Sequence, residues 1–149
     1  MSPEPQPETT HGRFAPGSWR EAETRYEELG TTAQVVVRET AKAMSFDREE
    51  YERRVTSDVV ETARQALFAE ALAVRVADRP AFEEWRETSE HDVHVAGSDS
   101  VGRVAWHVSP AAEAAVGATF ENEPEAAVGT VRRMAFNRLY RERLTGEKA

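Results

Sequence analysis

From residue 18 to residue 71 the apolar positions recur at helical spacing. Trp19, Ala22, Tyr26 and Leu29 fall on one stripe behind Ser18, whose three-residue step to Glu21 marks a capping box, and Gly30 is the expected stop. Thr31 with Gln34 opens a second stripe, Ala33, Val36, Val37, Ala41 and Met44. Asp47 with Glu50 predicts a third start, with Phe46 and Tyr51 at the spacing of a hydrophobic staple. A restart near Thr56 to Asp58 carries Val59, Val60, Ala63, Leu67 and Ala71.

The period then changes from 3.6 to 2. Leu72, Val74 and Val76 alternate with Ala73, Arg75 and Ala77, which predicts a first strand. Asp78 and Pro80 open a short helix with Phe82 and Trp85. Val93 and Val95, then Gly97-Ser98-Asp99-Ser100, then Val104, Trp106 and Val108 predict a hairpin. Val116, Ala118 and Phe120 form a further strand, and Asn122, Pro124 and Glu125 open the longest helix, about 123–144. N-terminal helices followed by a β-α-β-β-β-α unit place the chain in the α+β class, with a mostly antiparallel sheet and the last helix across its apolar face. A single domain is expected over 13–149, behind a disordered Pro- and Glu-rich tail at 1–12.

Composition adds a habitat. Twenty-two Glu and five Asp stand against seventeen Arg and two Lys, Lys42 and Lys148, for a net charge of −8. Carboxylates hold water at low water activity, and the weakly hydrated guanidinium replaces the Lys ammonium, so the pattern predicts life in molar salt. Ile and Cys are absent and Leu occurs five times, which leaves sixteen Val, many Ala and a few aromatics to build the core. Without Cys there is no disulfide, thiolate nucleophile or Cys-ligated zinc, in keeping with a reducing cytosol. No apolar run approaches a membrane span, so a cytoplasmic protein without membrane contact is expected.

The segments TTAQVVVRETAKAMSFDREEYERRV, GSDSVGRVAWHVSP and FENEPEAAVGTVRRMAFNRLYR resemble a family of short, acidic, uncharacterised proteins of halophilic archaea, known only as a domain of unknown function. The resemblance implies a haloarchaeal cytosolic setting and carries no chemistry.

Two constellations are candidates for chemistry. If Val95 pairs with Val104, Asp92 lies opposite His107 with His94 diagonally beside it and Arg103 at the edge, raw material for a general base or a zinc site. The bland alternative is an ordinary polar sheet face. His91 and His94 are an odd step apart and so point to opposite faces of a strand. The same face offers Ala96, Ala105, Ala115 and Gly117, small enough for the N-terminal helices, a second subunit or a ligand to approach. On the last helix Arg133, Asn137 and Arg141 align at i, i+4, i+8 near Tyr140, a stripe able to contact phosphates. In molar salt, with a Debye length of about 3 Å, such a stripe holds nucleic acid weakly, and cations at a helix C-terminus already complement its dipole. No P-loop or nucleophile elbow is present, and no metal or cofactor is expected. The leading expectation is a non-catalytic domain that associates with itself or another protein. The alternatives are a small ligand-binding protein or hydrolase using Asp92, His94, Arg103 and His107, and nucleic-acid binding through Arg133, Asn137 and Arg141.

Overall fold

The computed structural model describes residues 8–98 and 100–147. In chain order the elements are β1 (Thr9–His11), α1 (Trp19–Ala43), α2 (Arg48–Arg54), α3 (Ser57–Ala71), β2 (Val74–Asp78), α4 (Arg79–Thr88), β3 (Asp92–Ala96), β4 (Arg103–Ser109), β5 (Ala114–Phe120), α5 (Pro124–Ala135), a π turn (Phe136–Tyr140) and α6 (Arg141–Thr145). The class is α+β, with a five-stranded, mostly antiparallel sheet. Part of the expected tail belongs to that sheet: Thr9–His11 pair with Val74–Val76, while residues 1–7 lie outside the described residues.

Most helix starts follow their caps. The side chains of Ser18, Asp47, Thr56 and Asp78 accept from the backbone N–H three residues on, each satisfying one orphan donor of a first turn. The expected cap at Asn122 is not used; α5 starts at Pro124 behind Glu123, with no side-chain cap bond. Gly30 does not stop the first helix either, and α1 runs for 25 residues. A Cβ at Gly30 would stand 3.6 Å from the Arg64 guanidinium. Arg64 reaches in from α3, where Nε–H donates to the Tyr26 carbonyl at 2.7 Å and the guanidinium sits 4.2 Å from the centre of the Tyr26 ring. Gly30 thus sits inside a continuous helix, at ordinary contact distance from Arg64.

The strand order is β1-β2-β4-β5-β3. The expected hairpin between β3 and β4 is therefore open. β5 lies between them, antiparallel to β4 and parallel to β3. The connection must span two strand spacings, about 9.5 Å. Its route is held from both sides: Arg79 donates to the Val101 and Ser98 carbonyls, and Ser98 N–H donates to Thr119 Oγ1. Gly97, at φ +110°, passes so close to Thr119 that no side chain fits there. Asp99 of the expected turn lies outside the described residues.

Inserting β5 also changes which residues share a face. Val116 lies opposite both His107 and His94, so Val116, Ala118 and Phe120 stand with Ala105 and His107 and not with Trp106. Trp106 instead pairs with Gly117, and Val95 flanks the same glycine. Large faces small on this side. A Cβ at Gly117 would come within 2.8 Å of the Ala105 carbonyl oxygen and 3.1 Å of Trp106 Cβ. Gly117→Ala is expected to cost about 2 kcal/mol, since backbone and a buried indole leave no room to repack. Chemical denaturation checks this, and an unchanged midpoint would mean the strands part freely.

Two apolar layers result. On one face α5 lies against β2, β4 and β5, α3 packs on α5, and α1 packs on α3. This core gathers Tyr26, Leu29, Phe68, Leu72, Val74, Val76, Val116, Val131, Phe136 and Tyr140. On the other face α4 alone covers Ala77, Val104 and Trp106 through Phe82 and Trp85, three aromatic rings with centres 5.0 to 5.9 Å apart. The last helical run therefore does lie on the sheet, as its stripe predicts, but on the face bearing His107. The N-terminal helices stack outside it and do not cover the sheet themselves.

Candidate functional site

His107 and Ser109 are the fully buried polar residues of the sheet among the described residues. Both ring nitrogens of His107 are used: Nδ1 lies 2.7 Å from the Ala73 carbonyl and Nε2 2.7 Å from the Tyr140 hydroxyl. A carbonyl only accepts, so Nδ1 carries the proton and Nε2 accepts from the Tyr140 O–H. Burial pushes the imidazole pKa down from 6.5 to about 4, outweighing the Ala73 hydrogen bond, with the Arg132 charge a smaller contribution in the same direction as burial. Burial pushes the Tyr140 phenol up, against an opposing hydrogen bond from the Ser109 side chain. Ser109 is itself buried and accepts from Ala112 N–H. The chain Tyr140, His107, Ala73 ties the last helical run to β4 and to the start of β2. Both ring nitrogens and the Tyr140 hydroxyl have a partner, and His107 and Tyr140 are fully buried.

Tyr140 reaches that position through the π turn. Nine residues separate it from Val131, about 2.5 turns of an α-helix, which would place the two on opposite sides. The turn closes with Arg141 N–H donating to the Phe136 carbonyl, an i→i+5 bond, and the wider ring swings Tyr140 back to the core.

The other members of the His cluster are elsewhere. Asp92 and His94 lie on the edge strand β3, paired with Ala114 and Val116 of β5, and border a shallow cleft with Arg138 and Leu139. His94 shares a face with His107 but is separated from it by the whole of β5. Asp92 is therefore not opposite His107. Arg103 lies at the far end of β4, opposite Phe120 and stacked on its ring at 4.9 Å, four residues and about 13 Å along the strand from His107. The expected juxtaposition fails because it required β3 to pair with β4. Among the described residues no three His, Asp or Glu side chains are grouped as metal ligands.

The Arg stripe, by contrast, converges. Arg133, Asn137 and Arg141 border one cleft of about 260 Å³ between α3 and the last helical run, with Thr62, Gln65 and Ala66 on the opposite wall. Arg132, one step round the helix, is committed to structure: Nε–H donates to the Leu72 carbonyl at 3.1 Å and the guanidinium pairs with Glu70 at 3.5 Å.

A third feature escaped the sequence pattern. The five large apolar side chains that stand most exposed among the described residues, Val35, Val36, Met44, Tyr51 and Val59, all fall between positions 35 and 59. Val36, Met44 and Val59 border a groove of about 360 Å³ with Val37, Phe46 and Val55. Its lining is almost wholly apolar, with Arg54 resting on the Phe46 ring at 5.5 Å. The stripes on α1 and α3 predict burial, yet Val36, Met44 and Val59 stand uncovered on them. The signal was present in Val35-Val36-Val37: three consecutive apolar residues on a helix cannot share one face.

Among the described residues no helix is long and apolar enough to cross a membrane. A family model, described as a family of unknown function (DUF5809), matches residues 13–141. No curated protein and no solved structure matches the chain.

Proposed function

Because the chain belongs to DUF5809, a family of unknown function, no activity comes to it by descent, and we propose that it is a non-catalytic module that acts by pairing with a second copy of itself. The observation that carries this reading is the clustering, among the described residues, of all five exposed large apolar side chains at one end of the α1, α2 and α3 unit. Monomeric proteins seldom leave such a patch in water.

A second copy suits the groove. α1 and α3 are two packed helices that share one uncovered apolar stripe, which is half of a four-helix bundle. A two-fold axis would supply the other half from the same residues. No carboxylate lines the groove, so two copies meet there without burying like negative charges from a chain of net −8. The excess of Glu over Lys supports placing the protein in a salt-rich cytosol, where screening further reduces repulsion between copies.

Sedimentation equilibrium is expected to give twice the chain mass of 16.7 kDa. Val36→Glu with Val59→Glu is expected to weaken pairing at least ~100-fold, because two buried carboxylates per copy each cost several kcal/mol. Both positions are exposed in the single chain, so helix content by circular dichroism should hold. A wild-type protein that stays monomeric at high concentration in both dilute and concentrated KCl overturns the reading.

A further inference from the structure

The cleft between α3 and the last helical run is built differently from the groove and lies on another face of α3. Its two guanidiniums differ in state. Arg141 is already fixed, with Nε–H and Nη2–H both donating to Asn137 Oδ1, at 3.0 and 2.8 Å, and its plane 5.1 Å from the centre of the Phe136 ring. Its third nitrogen, Nη1, has only a loose contact at 3.9 Å with Glu147, a largely exposed side chain. Asn137 spends its acceptor oxygen on Arg141, so its amide nitrogen remains a free donor. Arg133 makes no hydrogen bond or ion pair with any described residue. No carboxylate lines the cleft, although the chain carries 27 Asp and Glu. Beneath these donors the floor is apolar, formed by Ala66, Ala69 and Phe136.

Those features specify a ligand. Two guanidiniums and an amide N–H₂ converge on one small space, and forked guanidiniums match the oxygens of phosphate in pairs. The two positive charges balance a dianion, whereas a lone carboxylate would leave one cation unanswered. The apolar floor gives an organic substituent something to pack on, and about 260 Å³ limits that substituent to a few carbons. We infer that this cleft binds a small phosphate monoester, with Arg133 and Arg141 on the phosphate oxygens and Phe136 under the organic part. Arg141 is preorganised, so its ordering cost is met before the ligand arrives, and Arg133 closes from solvent.

Calorimetric titration of the full chain with glycerol 3-phosphate and with inorganic phosphate, in about 0.1 M KCl to limit screening, tests this. One site per chain is expected, with inorganic phosphate weaker because it leaves the floor uncovered. Arg133→Ala is expected to reduce affinity about ten-fold, and Arg141→Lys, which keeps the charge and loses the fork, by a similar factor. Arg133 is exposed and unbonded, so its variant keeps the fold. Arg86→Ala, an exposed cation on α4 across the sheet, should leave binding unchanged. Absence of binding by either phosphate at about 10 mM, or equal loss in the Arg86 variant, overturns the inference. So does an oligothymidylate that binds more tightly than glycerol 3-phosphate and is lost with Arg133→Ala, because the occupant is then a nucleic-acid strand. Dimerisation is read separately by sedimentation, so failure of one reading leaves the other standing.

Discussion

Phe68→Ala is expected to lower the unfolding free energy by about 3–5 kcal/mol, the largest loss from any single truncation of the α1, α3 and α5 layer. Phe68 is fully buried on α3, and four aromatic rings meet it edge to face: Phe14 from the N-terminal segment, Tyr26 from α1, and Phe136 and Tyr140 from the π turn. The ring thus joins three helical stretches and the segment that leads into them. In a core with no Ile and five Leu, small neighbours such as Ala69, Ala22 and Ala33 cannot expand to fill the space left behind. Domains of this size hold only about 5–15 kcal/mol in total, so the variant should approach the limit of stability. Urea unfolding followed by circular dichroism checks it: a lower midpoint with an unchanged slope is expected. A loss under about 1 kcal/mol would show that the ring cluster does not hold the layers together.

Acid should unfold the protein partly through one imidazole. The His107 pKa is about 4 in the folded state against 6.5 for the free side chain. Between those values the unfolded chain binds a proton that the folded chain excludes, so stability rises with pH across the window and is lost as pH falls from 6.5 towards 4. The full swing is about 3 kcal/mol, and above 6.5 the contribution is complete and flat. Carboxylates titrate in the lower part of the same range, so the measurement is a difference: unfolding free energy against pH for the protein and for His107→Asn. Asn offers an N–H towards Ala73 without a titrating ring. The variant should lose most of the slope between pH 5 and 6.5, where few carboxylates titrate. Parallel curves would mean that His107 takes up its proton inside the fold.

What the sequence disclosed divides by distance along the chain. Caps at Ser18, Asp47, Thr56 and Asp78, the strand at 74–78 and the helix carrying Phe82 and Trp85 are local matters, settled by side chains within a turn of one another. The Arg133, Asn137 and Arg141 alignment was legible for the same reason, since one helix carries all three. Pairing was not legible. The Gly97 to Ser100 stretch reads as a tight turn, and only the insertion of β5, about twenty residues later, opens it. The juxtaposition of Asp92, His94 and His107 rested on that turn and fell with it. Grouping Ala115 and Gly117 with His107 also misled, because they lie opposite Val108 and Trp106. The π turn left no mark on the periodicity, and Tyr140 was read as an aromatic among arginines when it is the hydroxyl that holds His107.

The position of β1 bears on how the protein is made. Thr9–His11 pair with residues more than sixty positions later, and Phe14 bonds to Ala71 and Ala73. On the ribosome, α1 and α3 emerge as a hairpin of helices while β2, β4, β5 and α5 are still unsynthesised. Until they arrive, Phe68, Tyr26 and Leu29 lack the α5 and π-turn layer that covers them, so the nascent first half presents two sticky surfaces where the finished protein keeps one. Rapid release of the second half is the natural protection for such a chain, and premature termination near residue 72 would yield a fragment prone to clump.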